Sequence, residues 1–403
     1  MTRRHDIDAL RAIAFSLLIL YHFAMLYVAE WGWHLKSPHT TEVLHLPMLF
    51  VNRWRMDLIF LVSGLATAFL FADRSAGSFL KHRVPKLFIP LLFGVLFVVP
   101  IQPYAQGVAN GLVEPGFGQF LIRYFVGYDW PKDAFDGWKS SFTWNHLWYL
   151  VYLLVYTFLL AALMPVLNSR AGKALRQRFE SLRGWRLLVY PAVLFFGLTL
   201  SLQIFFPQTH NLVKDWYFHL RYFSMFLIGF WLARSDVLWA ELLRLRKVAL
   251  AAALLVFALY YLLIEIAPNP APYAWLPPIW LLRNLYLWLA LAAILGWAHA
   301  LLNRPFRWLP FANEAVYPWY ILHQSVIVLL AYWLLPLKLG PVVEPLLVIA
   351  GTVAACWALH VGVIRRVGWL RMCFGMKPAQ ALRSDTANIR SVGASATIRS
   401  DAP

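Results

Sequence analysis

Charge is scarce in this chain of 403 residues: 14% are Asp, Glu, Lys or Arg, while 61% are hydrophobic. A soluble domain of this length needs a far larger charged surface, so a water-soluble globular fold is excluded. Acidic residues are scarcer still, 19 against 36 Lys and Arg, which leaves a formal net charge of +17. The basic residues fall in short stretches between apolar runs, the pattern that orients membrane spans, and no nucleic-acid partner is expected. Only two cysteines are present, Cys356 in the last apolar run and Cys373 in a basic tail, which argues against a structural disulfide. No Walker A loop, GxGxxG fingerprint or internal repeat occurs, so neither motif for cradling phosphates is available.

Long apolar runs are what the chain has instead. Ten spans are predicted, at 9–30, 47–72, 86–106, 146–167, 187–206, 216–233, 248–267, 278–300, 311–335 and 342–364. The 20 Trp, 18 Tyr and 29 Phe suit aromatic belts at two interfaces. Alternate inter-span stretches differ in charge. One set carries Arg74, Lys81, Arg83 and Lys86, the arginines of 170–186, Arg244, Arg246 and Lys247, Arg304 and Arg307, then Arg365, Arg366, Arg371 and Lys377. The other set holds mainly Lys36, Arg123, Lys132, Lys139 and Lys214. This asymmetry and the even span number place both termini in the cytoplasm. Arg3 and Arg4 before an apolar run resemble a signal peptide, but the run is long and lacks a small-x-small site, so it reads as an uncleaved first span. FGQFLIRYFVGY in the long 107–145 segment reads as an interfacial amphipathic helix, and 376–403 as a disordered tail.

Ionisable residues inside the runs are costly, so their default reading is functional. In RAIAFSLLILYH, Arg11 and His22 are eleven positions apart. At 100° per residue they share one stripe, roughly 16 Å apart along the helix. In NRWRMDLIFLVSG, Arg55 and Asp57 are two apart and cannot share a face, so each needs a partner on another span. WNHLWYL places His146 among Trp144, Trp148 and Tyr149, and NEAVYPWYILHQSVI places His323 and Gln324 beyond a loosening Pro318. His219, Arg221, Arg283 and Asn284 read as anchors near span ends. Together these groups imply a wet cavity open to the far side. On the cytoplasmic side, LKHRVPKLFIPLLFG clusters Lys81, His82, Arg83 and Lys86 beside Pro85 and Pro90. Two function classes fit: a proton-coupled transporter using His22, Asp57 and His323, or an enzyme in which a histidine is the general base toward a hydroxyl.

DIDALRAIAFSLLILYH resembles membrane acyltransferase family 3, whose most characteristic motif is an arginine and a histidine separated by ten residues in the first span. RMDLIFLVSG, FLKHRVPKLFIPLLFG, HLWYL and NEAVYPWYILHQSVI resemble further motifs in the family's order, with Lys86 standing where an arginine is common. The resemblance covers roughly 5–370 and implies an all-α, polytopic transmembrane bundle. Its boundaries would be a ten-helix acyltransferase domain at 1–372 and a cytoplasmic tail at 373–403. It implies an O-acyltransferase of the bacterial inner membrane. The donor would be cytosolic acyl-CoA, succinyl-CoA favoured over acetyl-CoA, and the acceptor a hydroxyl of a periplasmic glucan or other carbohydrate. No metal and no permanently bound cofactor is implied. By position, His22 would be the catalytic histidine, with His323 as its possible substitute, and Arg11 would contact the donor. Lys81, Arg83 and Lys86 would hold the CoA phosphates. Arg55 is the candidate for a succinyl carboxylate, and Asp57, His146, Trp148, Trp33 and His34 are candidates for binding the acceptor or acyl group.

Overall fold

A computed structural model describes residues 4–71, 74–137 and 143–377. The tail expected from 373 lies outside the described residues beyond Lys377. The helices are α1 (His5–Ala24), α2 (His45–Asn52), α3 (Arg55–Phe71), α4 (Ala76–Phe93), α5 (Ile101–Ala109), α6 (Phe117–Phe125), α7 (Trp148–Leu167) and α8 (Arg170–Glu180). They continue with α9 (Trp185–Leu202), α10 (Trp216–Leu232), α11 (Asp236–Ile266), α12 (Leu276–Leu302), α13 (Leu309–Leu334), α14 (Gly340–Ala358) and α15 (Gly368–Cys373). Among the described residues there is no strand, only an isolated bridge between Val28 and Thr41.

Nine helical segments among the described residues are long and apolar enough to cross a membrane. The remaining expected span, 216–233, coincides with α10, which has 17 residues. Helices are the outcome because a backbone in lipid must satisfy every N–H and C=O within its own segment. The basic stretch that leads into the third expected span is helical, and Lys81, Arg83 and Lys86 all lie on α4. Its start is capped by Ser75, whose Oγ accepts from the Ser78 N–H at 3.3 Å. Leu, Lys, Phe and Arg are good or neutral helix formers, so a basic stretch need not be irregular.

The chain divides into two compact units, Met1–Val84 with Trp148–Asn313, and Pro85–Leu147 with Glu314–Pro403. In the first unit, α3 packs closely against α10 and α11 against α12, with α1 on α3 and α12. The α3–α10 contact is backbone to backbone. A Cβ on Gly64 would stand 1.9 Å from the Phe226 carbonyl oxygen, and one on Gly229 would stand 2.0 Å from that of Leu61. Small residues allow such approach in membranes, where packing rather than hydrophobicity drives association. Gly64→Ala is therefore expected to destabilise the protein by about 1–3 kcal/mol through overpacking, lowering its unfolding temperature in detergent. Gly197→Ala, where an added Cβ meets nothing within 4 Å, should leave it unchanged.

In the second unit, α6 is the short helix expected in the 107–145 segment. It buries Phe120 and Tyr124 against Val113, Trp130 and Ala134, and exposes Ile122.

Candidate active site

The first unit has polar groups at both ends of α1. At the start, Arg4 forks onto Asp6 at 2.9 and 2.6 Å, and Asp6 also meets His299 Nδ1 at 2.7 Å, tying α1 to the last turn of α12. Arg11, half-buried, donates to Asn313 Oδ1 at 2.9 Å and lies 4.0 Å from Asp8. Arg83 points at the same end of the unit: its Nη2 is 3.4 Å from Thr67 Oγ1, near the end of α3. Lys81 and Lys86 are exposed. The phosphate-binding residues implied by the sequence that belong to this unit, Lys81 and Arg83, thus sit at the Arg11 end of the helices.

His22 lies in the last turn of α1 and is half-buried. Its ring stacks on Trp33 with centroids 6.4 Å apart and 21° between planes, and meets the Tyr21 ring edge at 6.2 Å. Trp33 and His34 belong to the loop after α1, and His34 is buried beside Trp33. Lys36 braces this loop by donating to the carbonyls of Met25 at 2.9 Å and Trp31 at 3.0 Å, and to that of Val28. Those bonds satisfy acceptors that the end of a helix leaves open. Burial pushes the Lys36 ammonium below the usual lysine range, with Glu30 opposing the shift.

The two charged residues of α3 find separate partners on other helices, as their spacing requires. Arg55 lies flat over the Tyr21 ring, 3.4 Å from its centroid, and its Nε and Nη1 are buried without a protein partner. The Tyr21 hydroxyl accepts from Asn52 Nδ2 at 2.6 Å. Asp57 is 1% exposed and receives both forks of Arg221 on α10, at 2.8 and 2.7 Å. Trp148 is buried, stacked on His210 at 4.6 Å and packed on Phe60 and Tyr222. A ring so enclosed is not a platform for a sugar in this conformation. Burial pushes the His210 imidazole below its ordinary value, opposed by Asp215 and reinforced by Arg55.

In the second unit, His146 and His323 come together, their rings perpendicular with centroids 5.2 Å apart. His323 is 0% exposed and its Nδ1 donates to the Tyr320 and Trp319 carbonyls at 2.7 and 3.0 Å. His146 Nε2 donates to the Ile321 carbonyl at 3.1 Å, which makes Nδ1 the acceptor for Gln102 Nε2 at 3.2 Å. The same amide reaches Ser325 Oγ at 2.8 Å, while Gln102 Oε1 accepts from Asn145 and Gln324 at 3.0 Å each. This buried network fixes the tautomer of His146 and leaves both its nitrogens engaged. Of the four candidate histidines, His22, His34, His146 and His323, His22 alone is half-buried rather than buried. Among the described residues no group of three or more His, Cys, Asp or Glu is placed to hold a metal ion.

An acyltransferase-domain family model matches residues 4–361, taking in both ends of α1 and both histidine clusters. The chain belongs to acyltransferase family 3. The chain is 26% identical over 160 residues to the glucans biosynthesis protein C of Escherichia coli O6:K15:H31 strain 536, and equally to that of E. coli K12. Each match spans 38% of this chain and 37% of the relative. No solved structure matches the chain.

Sequence reasoning did not anticipate Asn52, Gln102, Asn145, Asn313 or Ser325 as partners of the site residues. Uncharged amides and hydroxyls near span ends carry no hydropathy signal, and only the fold supplies their partners. Arg221 and Arg283 were visible but read as interface anchors.

Proposed function

We propose that the protein is an integral O-acyltransferase that moves an acyl group, succinyl before acetyl, from acyl-CoA to a hydroxyl of a glucan or other carbohydrate. In this reading the membrane is the bacterial inner membrane, both termini are cytoplasmic, and the acceptor is periplasmic. The observation that carries it is α1: one continuous helix with Arg11 near one end and a half-buried histidine, His22, in its last turn, inside a chain matched to an acyltransferase family over residues 4–361. The relatives' name supplies the glucan.

Donor phosphates are held at the Arg11 end by Arg83 and Lys81, where guanidinium and ammonium groups meet a polyanion. Arg11 guides the pantetheine arm inward. At the other end, neutral His22 accepts the proton of the attacking sugar hydroxyl as its oxygen bonds to the thioester carbonyl carbon. Arg55, with two N–H groups lacking a protein partner beside Tyr21, donates to the oxyanion that develops. Collapse of the tetrahedral species breaks the carbon–sulfur bond, and the His22 proton passes to the departing thiolate. Trp33 and His34 frame His22.

Mass spectrometry of periplasmic glycans from cells with and without this gene reads acyl mass and acceptor together. Acylated glucan present only with the gene is expected. Identical glycan profiles would remove the proposal, and net solute flux through liposomes without acyl donor would favour a transporter.

A further inference from the structure

Beside the His22 end of the first unit lies a cavity of about 260 Å³, lined among others by Arg53, Arg221, Arg283, Asp57, Gln203 and Gln208. Three guanidiniums face one carboxylate there, a formal excess of two positive charges (three minus one). Both Asp57 oxygens are engaged by Arg221, and one carboxylate balances only one of the three guanidiniums. Arg53 has a buried Nε without a protein partner, and Arg283 likewise. Each is nonetheless held in place. Arg283 donates to Gln203 Oε1, the Arg53 guanidinium lies 5.5 Å from the Tyr260 ring, and the Arg53 carbonyl accepts from Arg221 at 3.3 Å.

An arginine that merely anchors a span extends its head into water. Arg53 and Arg283 instead bring their guanidiniums to a common cavity, and an uncompensated positive excess within a membrane protein is costly until an anion joins it. Guanidiniums are the groups that recognise a carboxylate through two parallel bonds. The volume falls below the ~300–1,000 Å³ of drug-sized sites, so it suits a short chain rather than a whole cofactor. Asn52 also lines the cavity and donates to Tyr21, whose ring touches that of His22, so the cavity is two side chains from the proposed base.

We propose that this cavity seats a substrate carboxylate between Arg53 and Arg283. The inference deepens the acyl-transfer reading and rests on it only for the source of the anion: the free carboxylate of a dicarboxylic acyl chain, or an acidic substituent of the acceptor. It also shifts the carboxylate-binding role from Arg55 to residues that line the cavity.

Succinate is the probe, with neutral succinamide as its isostere, titrated calorimetrically into the full chain in lipid nanodiscs. Saturable succinate binding is expected, weakened at least tenfold by Arg53→Gln and by Arg283→Gln. Arg53→Lys and Arg283→Lys should lose less, and they keep the test open if a glutamine variant fails to fold. Arg186→Gln, an exposed arginine, should bind as the parent does. No saturable binding, equal binding by the Arg53 and Arg283 variants, or equal affinity for succinamide would overturn the proposal. Transfer from succinyl-CoA and acetyl-CoA separates the sources. A loss at least tenfold greater for succinyl places the carboxylate on the acyl chain, whereas equal losses place it on the acceptor. Arginine-dependent succinate binding in a protein that transfers no acyl group would refute the acyltransferase reading and leave the cavity assignment standing.

Discussion

His22→Ala should abolish acyl transfer while leaving the bundle intact. A positioned general base contributes about 10²–10⁴-fold, and the loss of rate should fall in that range. The fold should tolerate the change because His22 is half-buried, its ring stacked on Trp33 and meeting the edge of Tyr21. Aromatic contacts of that kind are worth about 0.5–1.5 kcal/mol. His22→Gln keeps a hydrogen-bonding side chain of similar length but no basic nitrogen, so it should be as inactive as His22→Ala. The measurement is the initial rate of acyl transfer by purified variants, normalised to folded protein by thermal unfolding. A His22→Gln enzyme working within tenfold of the parent would assign the base to another residue, with His323 next in line.

Asp57→Ala should have the largest effect on stability. Removing one partner of a buried ion pair strands the other charge, at a cost of about 3–5 kcal/mol. Arg221 is 7% exposed and gives both forks to Asp57, so the variant leaves a largely buried guanidinium without its counter-ion. The variant should accumulate poorly and unfold at much lower temperature in detergent. The double variant Asp57→Leu with Arg221→Met should recover much of that loss, since well-packed apolar replacements of buried pairs are often neutral or better. If Asp57→Ala alone unfolds at the parent's temperature, the pair is not holding α3 to α10.

Much of this architecture was legible in one dimension. Apolar runs of about 20 residues are what a helix needs to cross lipid, so the spans follow from hydropathy. The stripe joining Arg11 and His22 follows from helical periodicity, and the separate partners of Arg55 and Asp57 follow from their two-residue spacing. Identities of partners did not follow. Arg221 is 164 positions from Asp57, and nothing in a pattern of local period encodes that pairing. Gln102 links Asn145, His146, Gln324 and Ser325 through a side chain that is unremarkable in sequence. The basic stretch before Pro85 is helical despite its charge, because Lys and Arg sit readily in helices.

The bare backbone contact of Gly64 with Gly229's helix has a consequence for binding. Two helices touching through carbonyls, and pinned by Asp57 and Arg221, have little room to slide or rotate. Arg53, just before α3, and Arg221 therefore keep their separation whether or not a ligand is present. An arriving anion meets Arg53 already set beside the Asp57–Arg221 pair, and less ordering entropy is lost at the moment of capture. Loosening that seam with a larger residue should weaken anion affinity from a distance, by preorganisation lost rather than by any contact removed.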